Sequence, residues 1–203
     1  MRLFTLLFLL PLAVCAQSDW EEQRNEAGIT IFTRDLEDFA FKEFKAVAIL
    51  DCQPEEILNL VRDFENAPQW NYKTIRAEVL KKVSPAEYFI YYEIEMPWPL
   101  DNRDLIAHLR LTQNKFTKEA RIIVESIHDY LPEKEGLVRI KDGQGSYKLN
   151  PTPNGKTEVI YRFFSDPSGI PPWIVNLFIT DSPFVTLNKM RTEVKKAAYA
   201  AKP

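Results

Sequence analysis

The stretch that decides the fold spans residues 96–104 and reads Met96-Pro97-Trp98-Pro99-Leu100-Asp101-Asn102-Arg103-Asp104. Its prolines separate two segments with strand-like alternation, and we predict strands over Glu87–Met96 and Asp101–Gln113. In the second strand, period-two alternation gives one face an arginine followed by apolar residues, namely Arg103, Leu105, Ala107, Leu109 and Leu111. An arginine that leads such a face either reaches the rim and joins a surface ion pair, or lies inside and needs an acceptor.

A second stretch opens the C-terminal segment and reads Asp166-Pro167-Ser168-Gly169-Ile170-Pro171-Pro172-Trp173-Ile174-Val175-Asn176-Leu177-Phe178. We predict a helix from Pro172 with a kink or restart at Pro183, because a proline there removes a backbone donor. Beyond Pro183 one apolar stripe recurs at helical spacing, formed by Phe184, Leu187, Met190, Val194 and Ala197. If this helix moves, we expect the turn at 166–169 and the break at Pro183 to act as hinges.

The remaining pattern predicts one α+β domain with an antiparallel sheet. A short helix is expected from Ser18 to Ala27, ended by Gly28, and another after Pro54. Asn154-Gly155 is the clearest hairpin turn, because both residues tolerate positive φ. The further predicted strands are 29–34, 41–50, 74–83, 120–127, 136–141, 145–149 and 157–164.

Both quoted stretches resemble the START family (steroidogenic-acute-regulatory-protein-related lipid-transfer domains). The resemblance implies a helix-grip fold, in which a curved antiparallel sheet wraps around a long C-terminal helix and encloses an apolar cavity. It implies a secreted, bacterial-type, single-domain member. Such a protein binds a lipid or another hydrophobic small molecule as a carrier, transfer protein or sensor, without catalysis.

In such a cavity Arg103 would be the polar anchor for the ligand. A buried arginine keeps its proton and needs a carboxylate or a ligand acceptor. The preceding strand offers Tyr91, Glu93 and Glu95 on one face by alternation, and we predict that Glu93 pairs with Arg103. A solvated face for both glutamates is the alternative interpretation.

Other predicted ligand contacts come from later in the chain. Tyr147 and Tyr161 flank the hairpin turn and could present hydroxyls to a ligand, although ordinary aromatic core is the favoured interpretation. The last helical segment adds apolar contacts, and with the strand residues the expected binding set is Arg103, Glu93, Tyr91, Leu105, Tyr147, Tyr161, Trp173, Leu177, Phe184 and Leu187. Helical apolar stripes are usually plain core, but in a cavity fold the same side chains serve both purposes.

Charge and composition argue against several other classes of protein. The net charge is −3 without a basic run, which disfavours nucleic-acid binding. His108 and His128 lack ligand spacing, so we expect no metal site, and no cofactor is expected. The enzyme alternative is a cyclase or dehydratase of the same fold, in which Arg103 polarises a carbonyl and Glu93 or Tyr161 moves a proton.

Residues 1–16 have the features of a secretory signal peptide. Arg2 supplies the positive charge, Leu3–Leu12 is apolar, and the small residues around Ala16 permit cleavage. The apolar run is shorter than the roughly 20 residues that span a bilayer. Lipoprotein processing at Cys15 is the less favoured alternative, because the preceding valine is large. We therefore expect one exported domain over residues 17–203, periplasmic or extracellular, monomeric, and in transient contact with membranes.

Overall fold

The computed structural model describes residues 19–201, in which ten strands form a single sheet. The predicted signal peptide, residues 1–16, lies outside the described residues. The strands are β1 Glu21–Glu26, β2 Ile29–Leu36, β3 Phe39–Leu50, β4 Thr74–Ser84, β5 Glu87–Ile94, β6 Asn102–Gln113, β7 Ala120–Ser126, β8 Leu137–Arg139, β9 Gly143–Pro151 and β10 Thr157–Ser165.

The strand order is β1-β2-β3-β10-β9-β7-β6-β5-β4, and every pairing along this path is antiparallel. The short strand β8 joins β6 in parallel. The sheet is curved, with the helices on its concave side, which confirms the predicted α+β helix-grip fold. The β9–β10 hairpin turns at Asn154-Gly155 as predicted, with Gly155 at φ 78°.

Four α-helices complete the described fold: α1 Pro54–Arg62, α2 Ala67–Trp70, α3 Pro172–Leu177 and α4 Asp181–Glu193. The C-terminal segment is interrupted as expected, but the break lies at residues 178–180 and not at Pro183. Pro183 lies in the first turn of α4, where its missing N–H has no intrahelical partner to lose. Pro183 therefore produces no kink, whereas the predicted restart of the helix is present and begins two residues earlier, at Asp181.

The predicted helix from Ser18 to Ala27 is also wrong. Residues Glu21–Glu26 form β1, which pairs with β2 through a two-residue turn at Ala27 and Gly28. Both turn residues have positive φ, at 51° and 71°. The six residues of β1 are polar or charged, so no apolar stripe holds them as a helix, and pairing with β2 decides their conformation.

The core lies between the concave face of the sheet and helices α1 and α4. Ile29 and Ile31 of β2 are fully buried against the same cluster as Leu187 and Met190 of α4. The same cluster includes buried side chains from the other half of the sheet, such as Ile90 of β5 and Leu111 of β6. None of the helices within residues 19–201 is long and apolar enough to cross a lipid bilayer.

Candidate functional site

A cavity of about 600 Å³ lies between the sheet and the C-terminal helices. Strands β3, β5, β6, β7, β9 and β10 form its walls. The apolar side chains that line these walls include Phe44, Ile94, Leu105, Leu109, Ile122, Val124 and Phe163. A volume of this size falls in the range of about 300–1,000 Å³ that is typical of small-molecule sites. The lining predicts a guest that is mostly apolar.

Helix α3 lies over the cavity, and its two faces have different surroundings. Ile174, Val175 and the following Phe178 line the cavity. Trp173 and Leu177 point away from it and are each 67% exposed, so the structure does not place these two predicted contacts in the cavity. Because five of the six residues of α3 are apolar, its periodicity could not indicate which face turns inward.

Phe184 and Leu187, also predicted as contacts, lie in α4 but outside the cavity lining. Leu187 is fully buried in the core cluster. Phe184 packs against that cluster, and the Arg24 guanidinium lies 3.5 Å from the centre of its ring. The apolar stripe of α4, to which Phe184 and Leu187 belong, therefore packs into the core, which is the ordinary role of a helical apolar stripe.

Arg103 borders the cavity at the edge formed by Pro97, Leu100 and Pro167. Its side chain is almost completely buried, with the residue only 3% exposed. Nε donates to the Pro167 carbonyl at 2.9 Å and Nη2 donates to the Ser168 carbonyl at 2.8 Å, while Nη1 donates to the Asp101 carbonyl. Arg103 therefore connects β6 to the turn that leads into α3.

No carboxylate among the described residues forms an ion pair with Arg103. Burial lowers the pKa of the guanidinium, and the nearby Asp101 opposes this effect. An arginine nevertheless keeps its proton in a protein. These three hydrogen bonds use three of its five N–H groups, so a positive charge with spare donors lies at the edge of the cavity.

The predicted Arg103–Glu93 pair is absent because the strand register separates the two residues. Ile94 lies opposite Arg103 and Glu93 lies opposite Asp104, so Glu93 occupies the outer face of the sheet. Tyr91 shares that outer face, where the Lys134 ammonium lies 3.8 Å from the centre of its ring. The sequence correctly predicted which residues of each strand share a face, but it does not define how the residues of neighbouring strands are paired.

A buried ion pair that the sequence did not predict lies on the outer face of the sheet, between Asp104 and Arg139. Asp104 forms a bidentate pair with Arg139, with Nε–Oδ1 and Nη2–Oδ2 distances of 2.8 and 2.9 Å. Both residues are nearly fully buried. Arg139 also donates to the carbonyls of His128, Leu131 and Pro132. This pair fixes the segment between β7 and β8 on the outside of the sheet.

Gly145 of β9 and Phe163 of β10 lie opposite each other and line the cavity. A Cβ atom at Gly145 would overlap the Phe163 ring and would lie 3.2 Å from the Arg162 carbonyl oxygen. The absence of a side chain at Gly145 therefore lets the Phe163 ring lie flat across β9. The pair shapes the wall of the cavity.

The predicted contacts Leu105, Tyr147 and Tyr161 all line the cavity together with Arg103. Tyr147 and Tyr161 are register partners, and their rings stack at a centroid distance of 4.1 Å. Tyr92 lines the cavity from β5 and was missed. Tyr92 is paired with Leu105, which was correctly predicted to face the cavity. Knowledge of the β5–β6 register would therefore have placed Tyr92 in the cavity as well. Ligand binding by any of these residues stays a prediction.

A curved antiparallel sheet, C-terminal helices over its concave side and an apolar cavity between them together define the helix-grip class of protein. The START domain model matches residues 9–198, and the chain therefore belongs to the START family. This confirms the family resemblance seen at residues 96–104 and 166–178.

Among curated proteins, the chain is 29% identical over 181 residues to an uncharacterized protein of Pseudomonas aeruginosa, and the match covers 88% of each chain. It is 27% identical over 165 residues to the phosphatidylcholine transfer protein of Mus musculus, covering 78% of this chain and 76% of that one.

Solved structures give the same result. The crystal structure of a STAR-related lipid transfer protein fragment from Xanthomonas axonopodis superimposes with a TM-score of 0.82 at 28% identity, and the match covers 88% of this chain and 100% of that one. Human StAR-related lipid transfer protein 5 has a TM-score of 0.77 at 18% identity and shares the fold, with 88% of each chain covered.

Proposed function

We propose that this protein binds one lipid or lipid-like molecule in the cavity under α3 and carries it between membranes. The observation that supports this most directly is the apolar cavity of about 600 Å³, with a buried guanidinium at its edge that has no carboxylate partner within residues 19–201. The similarity to a phosphatidylcholine transfer protein and to a STAR-related lipid transfer protein supports the same class of ligand.

The ligand's apolar part supplies most of the binding energy. An acyl chain of about 14 methylenes costs roughly 11 kcal/mol to hold in water, at about 0.8 kcal/mol per methylene. A dry cavity recovers much of that free energy, so a soluble domain can carry a molecule that is otherwise confined to membranes. Specificity then depends on cavity shape and on a few polar contacts.

Arg103 is the polar contact that selects the head of the ligand. Its charge has no carboxylate partner in the described residues, and its spare N–H groups need acceptors. A carboxylate or phosphate oxygen satisfies both the charge and the donors, and the planar guanidinium suits bidentate contact. We therefore expect a ligand with an anionic head group, held without the predicted Glu93.

The rim of the cavity is the surface that we expect to touch the membrane. Trp98 is 92% exposed in the loop before β6, and on α3 Trp173 and Leu177 are also largely exposed, followed by Phe178 at 60%. Trp98 and Trp173 are next in sequence to Pro97 and Ile174, which line the cavity, and aromatic side chains suit the interface between lipid and water. The charged lining residues near the rim have both signs, since Lys42 and Lys73 accompany Glu95 and Asp181, so docking should not require anionic lipid.

Loading requires α3 to move away from the sheet. The backbone N–H of Lys42 donates to Asn176 Oδ1 at 3.2 Å, which ties α3 to the start of β3. The turn before α3 contains Ser168 and Gly169 with positive φ, at 49° and 72°. This turn and residues 178–180 are the segments at which α3 can pivot.

The alternative of a cyclase or dehydratase receives less support. Its proposed proton carriers are Glu93, which lies on the outer face of the sheet, and Tyr161. Burial raises the pKa of Tyr161 to about 12, which leaves it a poor proton donor or acceptor near neutral pH. Carriage without catalysis is the function that the cavity favours.

Export remains part of the proposal. The charged start, apolar run and small residues in residues 1–16 are typical of a cleaved signal peptide. N-terminal sequencing of the protein recovered from its host tests this, with a start at Gln17 expected. A mature chain that begins at Cys15 would favour the lipoprotein alternative.

A transfer assay tests the proposed function. Donor vesicles that contain a fluorescent, anionic lipid are mixed with unlabelled acceptor vesicles, with and without the protein. We expect the protein to accelerate transfer in proportion to its concentration, and an organic extract of the purified protein to contain a lipid. No acceleration and no bound lipid would contradict the proposal.

A further inference from the structure

Three tyrosine side chains enter the cavity from different strands. Tyr92 comes from β5, Tyr147 from β9 and Tyr161 from β10, and all three line the cavity. Tyr147 and Tyr161 are each 7% exposed, and their stacked rings have an interplanar angle of 6°. Tyr92 lies on the same concave face, opposite Leu105. We call these residues the tyrosine cluster.

The hydroxyls of the tyrosine cluster have no hydrogen-bond partner elsewhere in the described residues, unlike those of Tyr88 and Tyr199. Tyr88 donates to the Pro85 carbonyl at 3.0 Å, and Tyr199 donates to Asp63 Oδ2 at 2.7 Å. Within residues 19–201, the Tyr92 hydroxyl has no hydrogen-bond partner, and those of Tyr147 and Tyr161 interact only with each other. These oxygens are not sealed by protein atoms, so they open onto the cavity.

The hydroxyls remain protonated at neutral pH. Burial raises the pKa values of all three, in the case of Tyr161 to about 12. Each hydroxyl can therefore donate one hydrogen bond and accept others. An acyl chain that filled this part of the cavity would remove water from the hydroxyls without replacing its hydrogen bonds, which is unfavourable. The cluster thus favours a polar atom of the guest.

The surroundings of the cluster select a neutral group over a charged one. Phe44, Ile122 and Phe163 lie next to it on neighbouring strands and are apolar. Of the cavity's charged lining residues, Arg103 lies at the start of β6 and the others lie in or beside the loops at its rim. A charged group beside the cluster would lose its hydration without gaining a counterion.

We infer that Tyr92, Tyr147 and Tyr161 form a second polar subsite, which binds a neutral hydrogen-bonding oxygen, a hydroxyl or carbonyl, within the apolar part of the ligand. The inference rests on the proposed lipid-binding function and narrows it. The ligand then has two polar positions, an anionic head at Arg103 and a neutral oxygen further along the molecule. Unsubstituted acyl chains satisfy only the first.

The test compares fatty acids of one length that carry a single hydroxyl or keto group at successive positions with their unsubstituted parent. Affinities are measured by calorimetry. For the best position we expect the wild-type protein to bind the oxygenated acid about 3–10-fold more tightly than the parent. The triple variant Tyr92→Phe/Tyr147→Phe/Tyr161→Phe should lose this preference and bind the parent at least as tightly as the wild type does.

Tyr88→Phe is the matched control, because its hydroxyl is bound by the Pro85 carbonyl outside the cavity, and it should keep the preference. The three single Phe variants replace the triple variant if that protein does not fold. Equal affinity for the parent and every oxygenated acid, or an unchanged preference without the hydroxyls, would overturn the subsite and leave lipid binding intact. Failure of the wild-type protein to bind any of the acids would overturn both proposals.

Discussion

Arg103 and Asp104 are consecutive residues of β6 whose side chains lie on opposite faces of the sheet and bind different partners. Arg103 reaches the carbonyls of Pro167 and Ser168 beside the cavity, while Asp104 binds Arg139 beneath the outer segment. One dipeptide therefore fixes both the turn before α3 and the segment between β7 and β8. In the proposed function Arg103 also meets the ligand, and we expect the Asp104–Arg139 pair to act on stability alone.

The proposed role of Arg103 in head-group recognition can be measured separately from its role in stabilising the fold. Arg103→Met should weaken binding of a long-chain fatty acid by about 10–150-fold, because a hydrogen bond to a charged group contributes roughly 1.5–3 kcal/mol. Binding of the fatty alcohol of the same length should change little. The ratio of the two affinities, measured by calorimetry, is insensitive to a partial loss of folded protein.

Arg110→Met is the control for this prediction, since Arg110 forms a half-exposed pair with Glu125 on the outer face. It should leave both affinities unchanged. If Arg103→Met weakened acid and alcohol equally, Arg103 would support the cavity without recognising the head group.

The Asp104–Arg139 pair should dominate the stability of the outer face. Asp104→Ala leaves a buried guanidinium without its carboxylate, and we expect the free energy of unfolding to fall by about 3–5 kcal/mol. Glu125→Ala, which removes the partner of Arg110 at the surface, should cost about 1 kcal/mol or less. Denaturant unfolding measures both values, and equal losses would show that burial of the pair is unimportant.

The close contact between Gly145 and the Phe163 ring predicts that a side chain at position 145 would narrow the cavity. In Gly145→Ala the new methyl group forces the Phe163 ring away from β9 and toward the cavity, which should reduce stability by about 1–3 kcal/mol and weaken binding of the longest ligands first. Gly143→Ala is the matched control two residues away, where a Cβ atom would meet only ordinary contacts, the nearest at 3.4 Å from Ser165 Cβ. A dependence on ligand length in Gly143→Ala but not in Gly145→Ala would contradict this account.

Alkaline pH should destabilise the fold through its buried tyrosines. Burial raises the pKa of Tyr161 from its ordinary value of 10.0 to about 12, so the folded state holds this proton more tightly than the unfolded state does. Its contribution is complete below pH 10.0 and is lost as the pH rises toward 12, at about 1.4 kcal/mol per pH unit. Denaturant melts across this window should show a smaller loss in Tyr161→Phe than in the wild type. An equal loss in both proteins would exclude Tyr161 as a contributor.

The exposed aromatic rim should control membrane association. Trp98→Ser combined with Trp173→Ser should lower the partition of the protein onto neutral phospholipid vesicles by about tenfold or more, since each large apolar side chain contributes roughly 1.5–3 kcal/mol when buried. Phe116→Ser, at a residue that is 95% exposed in the β6–β7 turn, is the control. A similar decrease in the control would indicate non-specific adhesion.

The sequence predicted the architecture well because local signals and the fold agree. Alternation and turn residues located the long strands, and Asn154-Gly155 identified the β9–β10 hairpin correctly. The prediction failed at Glu21–Glu26, where a polar segment has no pattern of its own and its conformation depends on pairing with β2.

The sequence predicted only some of the residues that line the cavity, because the pairing between strands cannot be derived from the pattern within one strand. Arg103, Leu105, Tyr147 and Tyr161 were assigned to the cavity side by alternation within single strands. Partners across strands require the register, which is why Glu93 was chosen where Tyr92 and Ile94 actually share the face. Tertiary packing likewise decides which side of α3 turns inward, and Trp173 and Leu177 could not be separated from Ile174 by sequence.

The most direct measurement is native mass spectrometry of the protein incubated with a long-chain fatty acid. The wild type should bind one molecule per chain, and Val124→Trp, which places an indole ring inside the cavity, should bind markedly less acid while keeping its circular dichroism spectrum. Binding of the acid by Val124→Trp at the wild-type level would place the lipid outside the cavity and contradict the account.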